Sequence, residues 1–265
     1  MFAVERINLI RSYLREHGKL DVHSISKMLN VSEVTIRRDL EKLEAEGSLT
    51  RLHGGAILAE VEEEAKAPAP TEEERRAEED REEIARLAFL MVKDGDVIML
   101  TNGAIALRLA RKLSARSGVT VLTNDIPVAM EMASQAANKA VLLGGNPDAE
   151  TGALFGSLAE ANVQKFFVNK IFVQVDGISE QLQLTVSSEE KAALIKEALA
   201  CAEDRIILCE AGRFSHNAFY RLGPLSLAGK VVTNTSLGEA YKARIFALEI
   251  QLFTSINAFE GGGQG

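Results

Sequence analysis

The side chains between Ser32 and Lys42 are the part of this 265-residue sequence best suited to chemistry, and that chemistry is the reading of a DNA groove. At about 100° per residue, Ile36, Leu40 and Leu43 form one apolar stripe of a helix. Thr35, Arg38, Lys42 and Ala45 fall on the opposite face, about 180° to 260° away from Ile36. That face is basic and short-chained. A helix lying in a major groove needs such a mixture: a hydroxyl donor near its start, Arg for base edges or phosphates, and small residues for close approach. Arg37 lies on the flank, about 100° from Ile36, where a phosphate contact is natural. After Gly47, the run Leu49 to Ile57 reads as two short strands around His53-Gly54-Gly55. Such a wing would let Arg51 and His53 reach the DNA backbone or minor groove.

A second set of residues suits ligand binding. Thr101-Asn102-Gly103-Ala104, Thr123-Asn124-Asp125, Gly144-Gly145, Asp176-Gly177 and Glu210-Ala211-Gly212-Arg213 all stand at the ends of apolar strand-like runs. Open parallel sheets bind ligands at those ends. Asp176 suits hydrogen bonds to ligand hydroxyls and equally suits a turn that caps a strand before Gly177. Asn124 carries the same two readings. Glu189-Glu190-Lys191 reads more simply as a charged first helical turn than as a set of ligand contacts. His216 and Asn217 are further candidates for the pocket, whereas His17 and His23 read as solvated.

The elements that position these residues follow from periodicity. A first helix over Ala3 to Glu16 carries Ile7, Ile10 and Leu14 on one face and ends at Gly18. A second holds Ile25, Met28 and Leu29 and breaks at Asn30. Asn30, Val31 and a capping Ser32 make a three-residue turn into the third helix, Glu33 to Glu46, which is helix-turn-helix spacing. Residues 59–83 are acidic and contain Ala67-Pro68-Ala69-Pro70, the pattern of an extended linker passing into a charged helix. From Ile84 onward, helical patterns alternate with continuous apolar runs such as Val97 to Leu100 and Lys170 to Val175. Strands apolar on both faces imply a mostly parallel sheet covered on both sides. The expected fold class is therefore α/β. A winged helix-turn-helix occupies 1–58, a linker and the start of a connecting helix occupy 59–83, and an effector-sensing and oligomerisation domain occupies 84–260.

The net charge of −8 is local. Residues 1–58 hold 9 Lys and Arg against 8 Asp and Glu, whereas residues 59–83 hold 4 against 12. The acidity of the linker therefore does not argue against a DNA partner for the head. Trp is absent and aromatics are few, so the core must be aliphatic. Cys201 and Cys209 make neither a disulfide framework nor a metal cluster, and read as buried thiols. Nothing like a secretory leader opens the chain, and no apolar run reaches the roughly 18 residues that would span a bilayer. The expectation is a cytoplasmic protein with no metal, no cofactor and no membrane partner.

Val31-Ser32-Glu33-Val34-Thr35-Ile36-Arg37-Arg38-Asp39-Leu40-Glu41-Lys42-Leu43, with Gly47 and Arg51-Leu52-His53-Gly54-Gly55-Ala56, resembles the signature of the DeoR family of bacterial regulators. That resemblance implies that Ser32, Thr35, Arg37 and Arg38 face DNA. It continues through Asp94-Gly95-Asp96-Val97-Ile98, Leu122-Thr123-Asn124, Leu143-Gly144-Gly145, Thr151 to Gly156 and Asp176-Gly177-Ile178. For the C-terminal domain it implies a fold similar to ribose-5-phosphate isomerase and glucosamine-6-phosphate deaminase. It also implies binding of a phosphorylated sugar or related metabolite that releases the DNA. The family supplies phosphate donors with an Asp-Ser-Gly-Thr-Thr loop and an Asp-Ser-Ser-Lys-Phe segment. Here the corresponding residues are Thr101-Asn102-Gly103-Ala104-Ile105 and Glu210-Ala211-Gly212-Arg213-Phe214. Two hydroxyls are gone, and a Lys has become Arg213, which keeps the charge and changes its geometry.

Three readings of the pocket follow. It binds a phosphate through Asn102, backbone N–H groups and Arg213, or it binds a less charged ligand, or it serves assembly alone. The expected effector contacts are Thr101, Asn102, Gly103, Ala104, Asn124, Asp176, Gly177 and Arg213. The expected function is a transcriptional repressor, not an enzyme, acting as a homo-oligomer on double-stranded operator DNA under control of a small molecule such as a sugar phosphate. The alternatives are a sugar-phosphate isomerase-like enzyme, with Asp176 or Glu210 as base, and an effector-independent DNA-binding protein.

Overall fold

The computed structural model describes residues 3–45, 49–52, 54–58 and 71–255. His53 and most of the linker lie outside the described residues. The chain divides into two compact units, Met1–Thr71 and Glu72–Gly265.

The first unit is built on three helices and a small sheet: α1 (Ala3–His17), β1 (Lys19–Asp21), α2 (Val22–Leu29), α3 (Glu33–Ala45), β2 (Leu49–Leu52) and β3 (Gly55–Leu58). Ile10, Leu14, Ile25, Ile36, Leu40 and Leu43 are all but inaccessible to solvent. Burying each such side chain is worth about 1.5–3 kcal/mol, so the helical stripe legible in the sequence is also what closes this small core. Asn30 ends α2 in the left-handed conformation (φ 52°), and its N–H bonds back to Lys27 and Ser26 carbonyls. The wing is a β2–β3 hairpin, extended by an unexpected third strand: β1 pairs antiparallel with β3. Gly55 is required at that junction. A Cβ there would lie 2.2 Å from the Leu20 carbonyl oxygen.

The second unit begins with α4 (Glu72–Leu90), a longer helix than the linker reading implied. It continues through β4 (Val97–Leu100), α5 (Ala104–Lys112), β5 (Thr120–Thr123), α6 (Ile126–Ala133), β6 (Lys139–Leu142), β7 (Asn146–Pro147), β8 (Leu154–Phe155) and α7 (Ser157–Val163). Then come β9 (Val168–Gln174), β10 (Gly177–Ile178), β11 (Gln183–Val186), α8 (Glu189–Ala200), β12 (Ala202–Leu208), β13 (Tyr220–Pro224), β14 (Lys230–Val232), α9 (Glu239–Phe246) and β15 (Gln251–Phe253). Seven strands form one wholly parallel sheet in the order β15-β14-β12-β9-β4-β5-β6. Alternate residues of each strand point to opposite faces. Ile98, Leu100, Phe172, Ile206 and Leu208 pack with side chains of α4, α5 and α6, while Met99, Ile171, Val173 and Ile207 pack with α7, α8 and α9. Burial on both faces explains why the strands read as unbroken apolar runs. The strand order reverses between β4 and β9. A crevice opens at the carboxyl ends of two such strands, because their connections leave in opposite directions. A separate antiparallel sheet, β10-β11-β13, stands beside this end of the fold.

Candidate functional site

In the first unit the outer face of α3 is the candidate nucleic-acid interface. Ser32 starts the helix: its Oγ accepts from the Thr35 N–H (3.3 Å), and the two hydroxyls hydrogen-bond each other (2.8 Å). Arg37 is exposed and reaches Glu33, one turn earlier, at 3.3 Å. Arg38 and Lys42 are exposed and engage no side-chain partner among the described residues. Arg51 has partners within the unit. Its guanidinium meets Glu41 at 3.1 Å and Glu44 at 3.8 Å, and its N–H bonds to Glu44, so it ties the wing to the back of α3. Two residues escaped the sequence reading. Val34 is two-thirds exposed on the first turn of α3, an apolar group suited to a thymine methyl. Asp39 is buried and receives two hydrogen bonds from the Arg6 guanidinium, which fixes the rotation of α3 against α1. The wheel places Val34 outward; nothing in the local sequence reveals the partner of Asp39.

In the second unit the strand ends converge as expected, but the structure gives several of the expected effector residues other tasks. Thr101 is buried: its Oγ1 accepts from the Gln174 N–H (3.1 Å) and donates to the Phe172 carbonyl (3.4 Å), so it stitches β4 to β9. Asn124 is also buried. Its Oδ1 accepts from the Asn102 N–H and its Nδ2 donates to the Leu154 carbonyl. Ile105, in the place of a hydroxyl, points wholly into the core. Gly177 is packed so closely that a Cβ would meet the His216 carbonyl oxygen at 2.4 Å.

The N-terminus of α5 is occupied by the chain itself. Asp125 Oδ2 accepts from the Gly103 N–H (3.2 Å), and Gln174 Oε1 accepts from the Ile105 N–H (2.9 Å). Asp125 Oδ1 meanwhile caps α6 through the Val128 N–H (3.0 Å). Burial holds the Asp125 carboxyl above the usual carboxylate range, against the opposing pull of those two N–H donors. Asn102 is 6% exposed, and its side-chain amide has no hydrogen-bond partner among the described residues.

The remaining charges are mostly paired. Asp176 accepts from the Ser187 N–H (2.7 Å) and from Lys191 Nζ (2.8 Å). Glu189-Glu190-Lys191 is the first turn of α8, and Lys191 is buried by its pairing with Asp176. Its partner lies between β9 and β10, out of reach of local pattern. Glu210 meets Arg81 of α4 at 3.1 Å, so both carboxylates open to a base role are neutralised. Burial and the Glu210 charge raise the Asp80 carboxyl nearby. Arg108 and Lys112 of α5 pair with Glu78 and Glu82 of α4, which accounts for part of the acidity of that helix. Arg213 is exposed without a side-chain partner among the described residues. Ala104 is half-buried. Asn217 lines a cleft of about 580 Å³ with Gln181, Gln183, Thr185 and Arg221 on the small sheet. Cys209 is fully enclosed, and burial drives its thiol far up.

A winged helix-turn-helix joined to a parallel α/β domain with polar strand ends defines a DNA-binding regulator. The comparisons with known proteins agree. The DeoR-like helix-turn-helix domain family matches residues 6–62, and the DeoR C terminal sensor domain family matches residues 76–235. The chain belongs to the DeoR family. It is 29% identical over 241 residues to the HTH-type transcriptional repressor GlcR of Bacillus subtilis, covering 91% of this chain and 92% of that one. It is 32% identical over 213 residues to the lactose phosphotransferase system repressor of Lactococcus lactis, covering 79% and 82%. Among solved structures, ribose 5-phosphate isomerase A from Methanocaldococcus jannaschii aligns over 52% of this chain and 54% of its own, with 19% identity and a TM-score of 0.39. Among the described residues no helix is long and apolar enough to cross a membrane.

Proposed function

We propose that this chain is a repressor that holds operator DNA through α3 and the wing, and releases it when a small metabolite occupies the strand ends of the second unit. The observation that carries the DNA part is the state of the cations on α3. Arg38 and Lys42 stand exposed and unpaired among the described residues, one turn apart on the outer face, while the acidic groups of the helix are drawn to Arg6, Arg37 and Arg51. A basic stripe cleared of counter-charges is what a polyanion requires. The names of the relatives, both repressors, support the sign of the regulation. Thr35, Ser32, Arg37 and, outside the described residues, His53 complete the proposed contact set.

The metabolite part rests on the strand-order reversal between β4 and β9 and on the polar residues gathered there. A sugar phosphate or a related small polar molecule is the proposed effector. Homo-oligomerisation through the second unit belongs to the same proposal, since paired heads read paired half-sites. Support comes from α9 and β15, where Phe246 is 82% exposed beside a groove of about 820 Å³ at the sheet edge. A second copy of the chain would cover it. The deciding experiment is a gel shift of the full chain on the DNA upstream of its own gene, between about 50 and 200 mM salt. Tight binding that weakens steeply with salt is expected; binding absent at every salt concentration overturns the reading.

A further inference from the structure

We infer that the α5 end of the ligand crevice is closed to anions, and that the effector presents an uncharged polar group there, to Asn102, in place of a phosphate. This rests on the effector-controlled reading above and narrows the chemistry of its ligand. The N-terminus of a helix beside the crevice of a parallel sheet is an anion site because its free N–H groups and its dipole face outward. Here two of the N–H groups at that end, those of Gly103 and Ile105, are already engaged. Gln174, the last residue of β9, sends its side chain across the strand reversal to the Ile105 N–H. Asp125 takes the Gly103 N–H. A carboxyl oxygen and an amide oxygen thus stand where two phosphate oxygens would be held.

The fit is close. A Cβ added to Gly103 would lie 2.3 Å from Gln174 Oε1, so the glycine makes room for the glutamine amide itself. Gln174 is only partly buried. An incoming phosphate would have to displace both acceptors and then sit against the Asp125 carboxyl. Most cations near the crevice are already paired: Lys191 is held by Asp176, Arg81 by Glu210, and Arg108 by Glu78. Arg213, past the end of β12, is the exposed exception. Beside Gly103, the Asn102 amide keeps unmet hydrogen-bonding capacity and is more than nine-tenths buried. An amide offers one acceptor and two donors and no charge, which matches a hydroxyl or an amide on the ligand.

The test is phosphate binding by the full chain, followed by calorimetry and by thermal shift against chloride of matched ionic strength. Inorganic phosphate is the probe. Gln174→Ala removes the plug and should bind phosphate about tenfold or more tighter than the unaltered chain. Gln174→Met keeps the volume without the acceptor and should remain closed, which separates occupancy of the space from a general loosening of the fold. Equal phosphate affinity in the unaltered chain and Gln174→Ala overturns the inference, whether both bind or neither does. So does tight binding by Gln174→Met. All these outcomes are independent of the gel shift: a chain that binds its operator yet fails here keeps its function and loses only this account of its ligand.

Discussion

Arg6 and Asp39, 33 residues apart, form a two-pronged ion pair that is almost entirely withdrawn from solvent, with Arg6 Nη2 3.2 Å from Asp39 Oδ1. The pair joins the first helix to the inner side of the helix that faces DNA. Removing one partner strands the other charge in the core. Asp39→Ala should therefore destabilise the head by about 3–5 kcal/mol. A urea melt followed by circular dichroism reads this directly. Replacing both residues with apolar ones of similar size should restore much of the loss, and an additive double variant would show that the two residues do not act as a pair.

Arg38 and Lys42 should separate in a binding experiment. Arg38→Ala is expected to cost about 1–3 kcal/mol of specific affinity and to relax base preference at one operator position. Lys42→Ala is expected to weaken all sequences alike and to lower the salt slope by about one. Titrations of operator and scrambled duplexes at several salt concentrations check both. Unchanged affinity in the Arg38 variant would remove that residue from the interface.

Asp125 carries a pH signature. Its carboxyl is raised above 3.8 in the folded chain, so the native state holds the proton to higher pH than the unfolded chain does. The stability this group supplies is full below the unfolded value and is lost as pH rises through the folded one. Asp125→Asn lacks that dependence. The urea midpoint of the unaltered chain, measured against the variant, should therefore move in the unaltered chain's favour as pH falls from about 7 to 4. A constant difference across that range would show the carboxyl to be unperturbed.

The two thiols should differ in reactivity. Thiolate is the reactive form, and burial suppresses it at Cys209 more severely than at the partly exposed Cys201. Iodoacetamide should label Cys201 slowly in the native chain and Cys209 only after unfolding, as peptide mass mapping would report. Early labelling at Cys209 would contradict its enclosure.

What could be read ahead of the structure was whatever repeats at short range. The stripe of Ile36, Leu40 and Leu43, the break at Asn30 and the apolar strands all obey local periods, and all are present. The sites were legible as places rather than as chemistry. Asp176 and Lys191 meet because β9 and α8 are brought together, and Gln174 reaches Ile105 because β9 lies next to β4. Both contacts depend on strand order, which no window of sequence encodes. Thr101 stands just past the end of β4, as its place in the sequence implies, but its hydroxyl is taken up in joining two strands, which no local pattern shows. β1 was invisible for a similar reason, since three residues gain strand character only from β3.

The strand order also sets a timetable for synthesis. The central strand β9 is flanked by β4, which precedes it by about seventy residues, and by β12, which follows it; Lys170 pairs with Ile98 on one side and Asp204 on the other. Contacts so distant along the chain form slowly and cannot form until the later segment has emerged from the ribosome. The described sheet of the head is complete at Leu58, where β3 ends. During each round of translation the part that grips DNA is thus complete while the part that would release it is still half a sheet.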